Sequence, residues 1–174
     1  FVEGLSLASY REAFTKVGNS IVNTFSFSLA ALAVIVVFAS IIAYVTVRRK
    51  SALTSFLDVV TMFPYIVPGS ILGIALLAAF SKRPLLLGGT AAIMVISYVV
   101  RRIPYTIRSS AAILNRVSIS TEEAAISLGA SKLGTFVKVT FPSILSGVFS
   151  GMILSWTSMI TELSTSILLY NNKT

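Results

Sequence analysis

The chain has 174 residues, of which 55% are apolar and 11% charged. Its mean hydropathy of +0.90 exceeds what a water-facing fold needs, since soluble domains carry about a quarter charged residues, and lipid is the expected solvent. With no cysteine and no histidine, disulfide scaffolds, thiolate and imidazole metal sites and imidazole catalysis are excluded. A net charge of +8 suits either nucleic acid or cytoplasmic membrane loops facing anionic lipid, so the placement of the charges has to decide.

Crossing a bilayer takes about 20 mostly apolar residues, and four stretches approach or pass that length. The first, 21–47, carries no charge and ends at Arg48, Arg49 and Lys50. The second, 57–80, holds Asp58 near its start and Pro64 and Pro68 inside, and stops at Lys82 and Arg83. The third begins at Leu85, reaches Arg101 and Arg102, and gains length by running on to 107. The fourth covers 142–166 and contains Glu162. Nine of the fourteen basic residues fall after the first span or between the third and fourth, and five on the other side. Because Lys and Arg are retained in the cytoplasm, the N-terminus is expected outside and residues 108–141 inside. Residues 1–18 read as an extracellular lead-in without signal-peptide character. The polar ending Asn171, Asn172, Lys173, Thr174 reads as a loop in mid-course, so the chain is expected to be a fragment.

The hydrophilic stretch has local punctuation. Ser120 and Glu123 have capping-box spacing, predicting a short helix over 121–128. Gly129 stands where a left-handed C-cap wants glycine, and Ser131 is placed to cap a second helix. There Leu133, Phe136, Val137 and Thr140 recur on one face, and Pro142 marks a turn into the fourth span. The spacing is compatible both with a plain connector between spans and with a docking element that presents Glu122 and Glu123.

Glu123, Ala124, Ala125, three residues, Gly129, nine residues, then Val139, Thr140, Phe141, Pro142 resembles the EAA motif of binding-protein-dependent ABC importer permeases. Val and Phe stand where that family usually has Ile and Leu. Pro104, Arg108 and Ala111, and Pro64, Pro68 and Gly69, are similar to the family too, so the resemblance covers the chain from about Asn19 onward. It implies an all-α, polytopic membrane helical bundle: a type I permease core with four of five spans present and a two-helix cytoplasmic coupling loop. On that resemblance Glu123 pairs with a basic residue of a cytoplasmic ATPase and Gly129 permits the bend between the helices. Glu122, Ala124, Ala125, Ala130, Ser131, Phe136 and Pro142 complete the expected coupling surface.

On a helical wheel at about 100° per residue, Ser143, Ser146, Ser150, Thr157, Thr161 and Ser164 share one sector of the fourth span, flanked by Gly147, Gly151 and Ser155. Small residues at that spacing let helices approach closely. Hydroxyls on such a helix either bond back to the i−4 carbonyl or line a pathway, and both fit. Glu162 lies about 30 Å beyond Pro142 at ~1.5 Å per residue, near the outer interface, as a solvated rim residue or a substrate or gating group. Pro64 and Pro68 are static kinks or a hinge for alternating access. Arg101 and Arg102 are expected as interfacial anchors, and Arg108 as a brace at the base of the loop. The string from Thr161 to Ser166 resembles the segment after this helix in ferric iron, phosphonate and sulfate permeases, and Glu-Leu-Ser with a following Leu-Leu is most similar to the ferric iron type.

These readings make the chain a permease subunit of the cell (inner) membrane and not an enzyme. It has no nucleophile with a base and no phosphate-binding G-x-x-x-x-G-K-S/T string, so the expected chain binds no cofactor and ATP with Mg is used by a partner. Expected partners are an ABC ATPase dimer, an extracellular or periplasmic binding protein, a second permease module, fused or identical, and lipid. Nucleic acid is not expected, because the basic residues sit at membrane boundaries. The expected substrate is ferric iron or a related small ion, with phosphonate, sulfate or polyamine as competitors. An ion-gradient-driven transporter or channel is the other reading; it calls for ionisable residues near mid-bilayer.

Overall fold

A computed structural model of the chain describes residues 8–83 and 85–170, and these form helices and connecting turns. The first and last parts of the expected termini, 1–7 and 171–174, lie outside the described residues.

Helix α1 runs from Ala8 to Arg48. It begins inside the expected lead-in, because nothing between Ala8 and Ile21 breaks a helix, and it stops where the basic cluster meets Ser51. That serine caps α2 (Ala52–Ile66) in a reciprocal capping box with Thr54. The expected second span is broken: α2 and α3 (Gly69–Phe80) meet at 109° across the Val67–Pro68 junction. Proline removes an amide and disfavours helix in the residue before it. Pro64 stays inside α2, whereas Pro68 is the N-cap of α3, so only the second proline makes the bend.

The expected third span is displaced. Gly88 and Gly89, the latter at φ +73, turn the chain, and α4 then runs from Ala91 through Leu114. Among the described residues two helical runs, Phe14–Arg48 and Lys132–Ile160, are long and apolar enough to cross a membrane, and the bent pair counts as a third only if it is one span. Helix α4 carries Arg101, Arg102 and Arg108. It sits at the centre of the bundle against α1, α2 and α7.

Beyond α4 come α5 (Ile119–Ser127) and α6 (Lys132–Thr135). A π-helical turn, Phe136–Thr140, leads without a break into α7 (Phe141–Ile160), and α8 is a single turn, Ser166–Leu169. The turn expected at Pro142 is absent. The wider π turn, closed by Phe141 N–H to the Phe136 carbonyl, lets the chain pass a residue that cannot donate to the ladder. The fourth span accordingly begins a full helical segment early and ends at Ile160 instead of 166.

Ala31, Ile35, Ala39 and Ala43 are fully buried at a spacing of four on α1. With Leu76, Ile93, Met94, Tyr98, Ile107, Met159 and Leu169 they form the main core, and Leu114, Ile144 and Val148 form a smaller one. Val22, Val37, Phe38, Phe56, Phe63, Phe149 and Ile153 point outward, as apolar side chains do where lipid is the solvent.

Candidate functional site

The loop carrying the motif stands at one end of the bundle. Helix α5 starts at Ile119, so its cap is Ser118, whose hydroxyl accepts from Ser120 N–H at 3.3 Å. The expected Ser120 and Glu123 box is not formed, because Ser120 already lies in the first turn. Gly129 ends the helix at φ +90, a left-handed conformation that costs a residue with a Cβ. Ser131 caps α6 by accepting from Gly134 N–H at 3.1 Å.

Exposure separates the two glutamates. Glu123 is exposed, as are Ala124, Gly129 and Ser131, while Ala125, Ala130 and Phe136 are half-buried and Pro142 is exposed. Leu128 and Leu133, at 90% and 73% exposed, stand out from the loop as apolar neighbours of that surface. The stripe expected to be one-sided divides, with Leu133 and Val137 outward, Phe136 half-buried and Thr140 buried, since the π turn rotates the helix beyond it. Glu122 points inward. Its Oε1 accepts from Arg48 Nε at 2.8 Å, its Oε2 accepts from the Tyr44 hydroxyl at 3.1 Å, and Arg48 also donates to the Val117 carbonyl at 2.9 Å. Arg48 is thus the brace at the base of the loop. The expected brace, Arg108, instead meets Asp58 of α2 at 3.1 Å in a half-exposed pair, because it lies on the face of α4 that α2 covers.

A second polar cluster forms at the opposite end of α7. Glu162 is not a solvated rim residue; its side chain is 5% exposed, with Arg101 Nη1 at 2.6 Å and Arg102 in direct contact. The carboxylate also accepts from Thr165 N–H at 3.2 Å. Thr165 Oγ1 accepts from Arg101 at 3.0 Å and donates to the Gly69 carbonyl at 3.1 Å, which ties the cluster to the start of α3. Arg101 and Arg102 therefore do not anchor at an interface. Taking charge out of water is costly unless it is paired and hydrogen-bonded, and here one carboxylate answers two guanidiniums. A cavity of about 300 Å³ adjoins, lined by Ser20, Asn23, Thr24, Tyr98, Glu162 and Ser166 among others.

The hydroxyl stripe of α7 does not face the bundle of this chain. Ser143, Ser146, Ser150, Thr157, Thr161 and Ser164 are all exposed, and four of them bond to i−4 carbonyls at 2.7–3.1 Å. The side that packs is the small-residue strip. A Cβ on Gly151 would stand 2.4 Å from Thr106 Cα, and one on Gly147 2.7 Å from the Ser109 carbonyl oxygen. Ser155 completes the strip by donating to the Arg102 carbonyl at 3.0 Å. Of the expected pathway residues, Ser150, Thr157 and Thr161 share the outward face, Ser164 is exposed in the turn beyond α7 beside Gly69, Glu162 is enclosed, and Pro64 and Pro68 lie on the broken span. The Arg48 and Glu122 pair and the Arg101, Arg102 and Glu162 cluster escaped sequence reasoning. For the second the available signal was opposite charge inside two apolar stretches, Arg101 and Arg102 in one and Glu162 in the other, whereas Arg48 and Glu122 both lie outside the apolar stretches.

The sequence profile of the family described as binding-protein-dependent transport system inner membrane component matches residues 35–173. Similar curated proteins include the ferric transport system permease protein FbpB of Actinobacillus pleuropneumoniae, 31% identical over 86% of this chain and 22% of that protein. The molybdate/tungstate transport system permease protein WtpB of Pyrococcus abyssi is 32% identical over 83% of this chain and 55% of that protein. The probable sulfate transport system permease protein cysT of Zygnema circumcarinatum is 28% identical over 84% of this chain and 55% of that protein. The chain thus spans between about a fifth and about half the length of these relatives.

Proposed function

This chain belongs to the family of binding-protein-dependent transport system inner membrane components, and on that premise we propose that it forms the membrane pathway of an ATP-driven importer. The observation that carries the reading is the exposed Glu123 surface, closed by left-handed Gly129, on a segment continuous with membrane helix α7. A cytoplasmic ATPase dimer docks on it. Closure of that dimer pushes α5 and α6, and the motion reaches the membrane along α7 as alternating access. ATP and Mg are used by the ATPase, and an extracellular or periplasmic binding protein delivers substrate.

The bond from Arg48 to Glu122 supports the orientation, since it puts the Arg48, Arg49, Lys50 cluster at the same end as the basic loop, as the cytoplasmic retention of positive charge requires. The outward hydroxyl face of α7 lines the pathway against a second permease module. Ferric iron or a related small ion is the substrate reading, supported by the FbpB relatives and the Glu162, Leu163, Ser164 string. Sulfate or a similar oxyanion is the second reading, favoured by relatives named for sulfate and molybdate/tungstate.

Glu123→Lys or Gly129→Asp, placed in the complete importer, is expected to leave membrane insertion intact and to lower uptake per ATP hydrolysed by about tenfold or more. Uptake and hydrolysis measured together in proteoliposomes check this. Normal uptake in both variants would overturn the docking assignment, and uptake that persisted without ATP while tracking membrane potential would favour an ion-gradient mechanism.

A further inference from the structure

The sequence presents Glu122 and Glu123 as neighbours on one acidic tip, yet the fold gives them opposite fates. Glu123 is free at the surface, whereas the Glu122 side chain is 7% exposed and enclosed by α1. Its two partners both come from α1, and one of them reaches on to a further part of the chain. Arg48 and Tyr44 belong to the last turns of α1, and the same Arg48 holds the Val117 carbonyl in the turn between α4 and α5. The Tyr44 ring also meets Phe136 of the π turn edge to face at 5.1 Å, and Phe136 meets Phe141 at 6.4 Å. The end of α1 therefore grips the loop at α5, at its entry and at its exit.

We propose that Arg48 and Glu122 are positioning residues that make the end of α1 and the coupling loop one rigid body, so that a push on the loop moves α1 together with α7. The inference rests on the docking role assigned above to the Glu123 surface. Without the pair, α5 remains joined to α4 and α6 by turns, and a push on it is absorbed by hinging at Val117 and Gly129. The groups facing Glu122 are Arg48 and Tyr44 from α1. A neutral side chain at 122 leaves Arg48 half-satisfied, and a charged hydrogen bond of this kind is worth about a tenfold change in an equilibrium.

The test uses the complete importer in proteoliposomes, with assembly read by co-purification of the ATPase and coupling read as uptake per ATP hydrolysed by assembled complexes. Glu122→Gln is expected to retain assembly and lose about tenfold in coupling. Tyr44→Phe, which removes a single hydroxyl, is expected to fall between it and wild type and serves if Glu122→Gln fails to accumulate. The exchanged pair Arg48→Glu with Glu122→Arg is expected to recover much of the loss, which a role in folded yield alone would not predict for a ratio taken per complex. Unchanged coupling in both Glu122→Gln and Tyr44→Phe would overturn the proposal. So would lost assembly with Glu122→Gln, since Glu122 would then touch the ATPase itself. Normal coupling in both Glu123→Lys and Gly129→Asp would overturn the docking role on which the inference rests, whereas normal coupling in Glu122→Gln and Tyr44→Phe beside an uncoupled Glu123→Lys would overturn the positioning role alone.

Discussion

Glu162→Gln is expected to be the most damaging single-atom exchange in the chain. It removes the anion that, among the described residues, pairs with Arg101 and Arg102, whose side chains are 14% and 13% exposed, and leaves two guanidiniums side by side in an apolar setting. Removing one partner of a buried pair costs about 3–5 kcal/mol, a large share of the roughly 5–15 kcal/mol that holds a typical domain together. The carboxamide also forfeits part of the bond from Thr165 N–H and so loosens the tie through Thr165 to Gly69 at the bend. The expected result is a severe loss of folded protein extracted from membranes and a steep fall in its thermal midpoint. Glu123→Gln makes the same chemical change at an exposed site and is expected to leave both unaltered. Adding Arg102→Met to Glu162→Gln lowers the uncompensated charge and is expected to restore part of the loss. A normal thermal midpoint for Glu162→Gln would show that the cluster does not hold the bend.

Gly151→Val is expected to separate α4 from α7. A first carbon at that position stands 2.4 Å from Thr106 Cα and 3.0 Å from Thr106 N, and these are backbone atoms of the central helix that no rotamer change can move. Overpacking of this kind costs about 1–3 kcal/mol when side chains can yield, and more is expected where they cannot. The same displacement would break the bond from Ser155 to the Arg102 carbonyl and shift Arg102 relative to Glu162, so the two sites are coupled. Gly18→Ala on α1 is the control, because nothing lies within 4 Å of its added carbon and alanine favours a helix by about 1 kcal/mol over glycine. Folded yield and thermal midpoint should fall for the first variant and hold or rise for the second. Equal yields for the two would show that α4 and α7 are not held by close approach.

How far the sequence could be read depended on the range of the physics involved. The end of α1 at the Arg48 cluster, the cap at Ser131 and the left-handed Gly129 follow from residues within a few positions of each other, and each stands as expected. The shift of the loop helix cap from Ser120 to Ser118 is the same local chemistry read two residues late. The small-residue strip of Gly147, Gly151 and Ser155 was legible as a packing surface, since only small side chains allow such an approach. Its partner, the backbone of α4 at Thr106 and Ser109, was not.

What composition, spacing and local capping determined is a helical membrane chain, its apolar runs, and a loop with the spacing of a coupling motif. Tertiary structure alone decided which way each helix turns. In water a polar stripe marks the outside and an apolar one the core, but in lipid both the outside and the core are apolar, so the periodicity of α7 could not say that its hydroxyls face away from this chain. It likewise decided which charges meet. Arg48 and Glu122 are 74 positions apart, and Arg101 and Glu162 are 61 apart. Charges buried in an apolar surrounding must find partners wherever the fold brings them, and no local rule contains that distance.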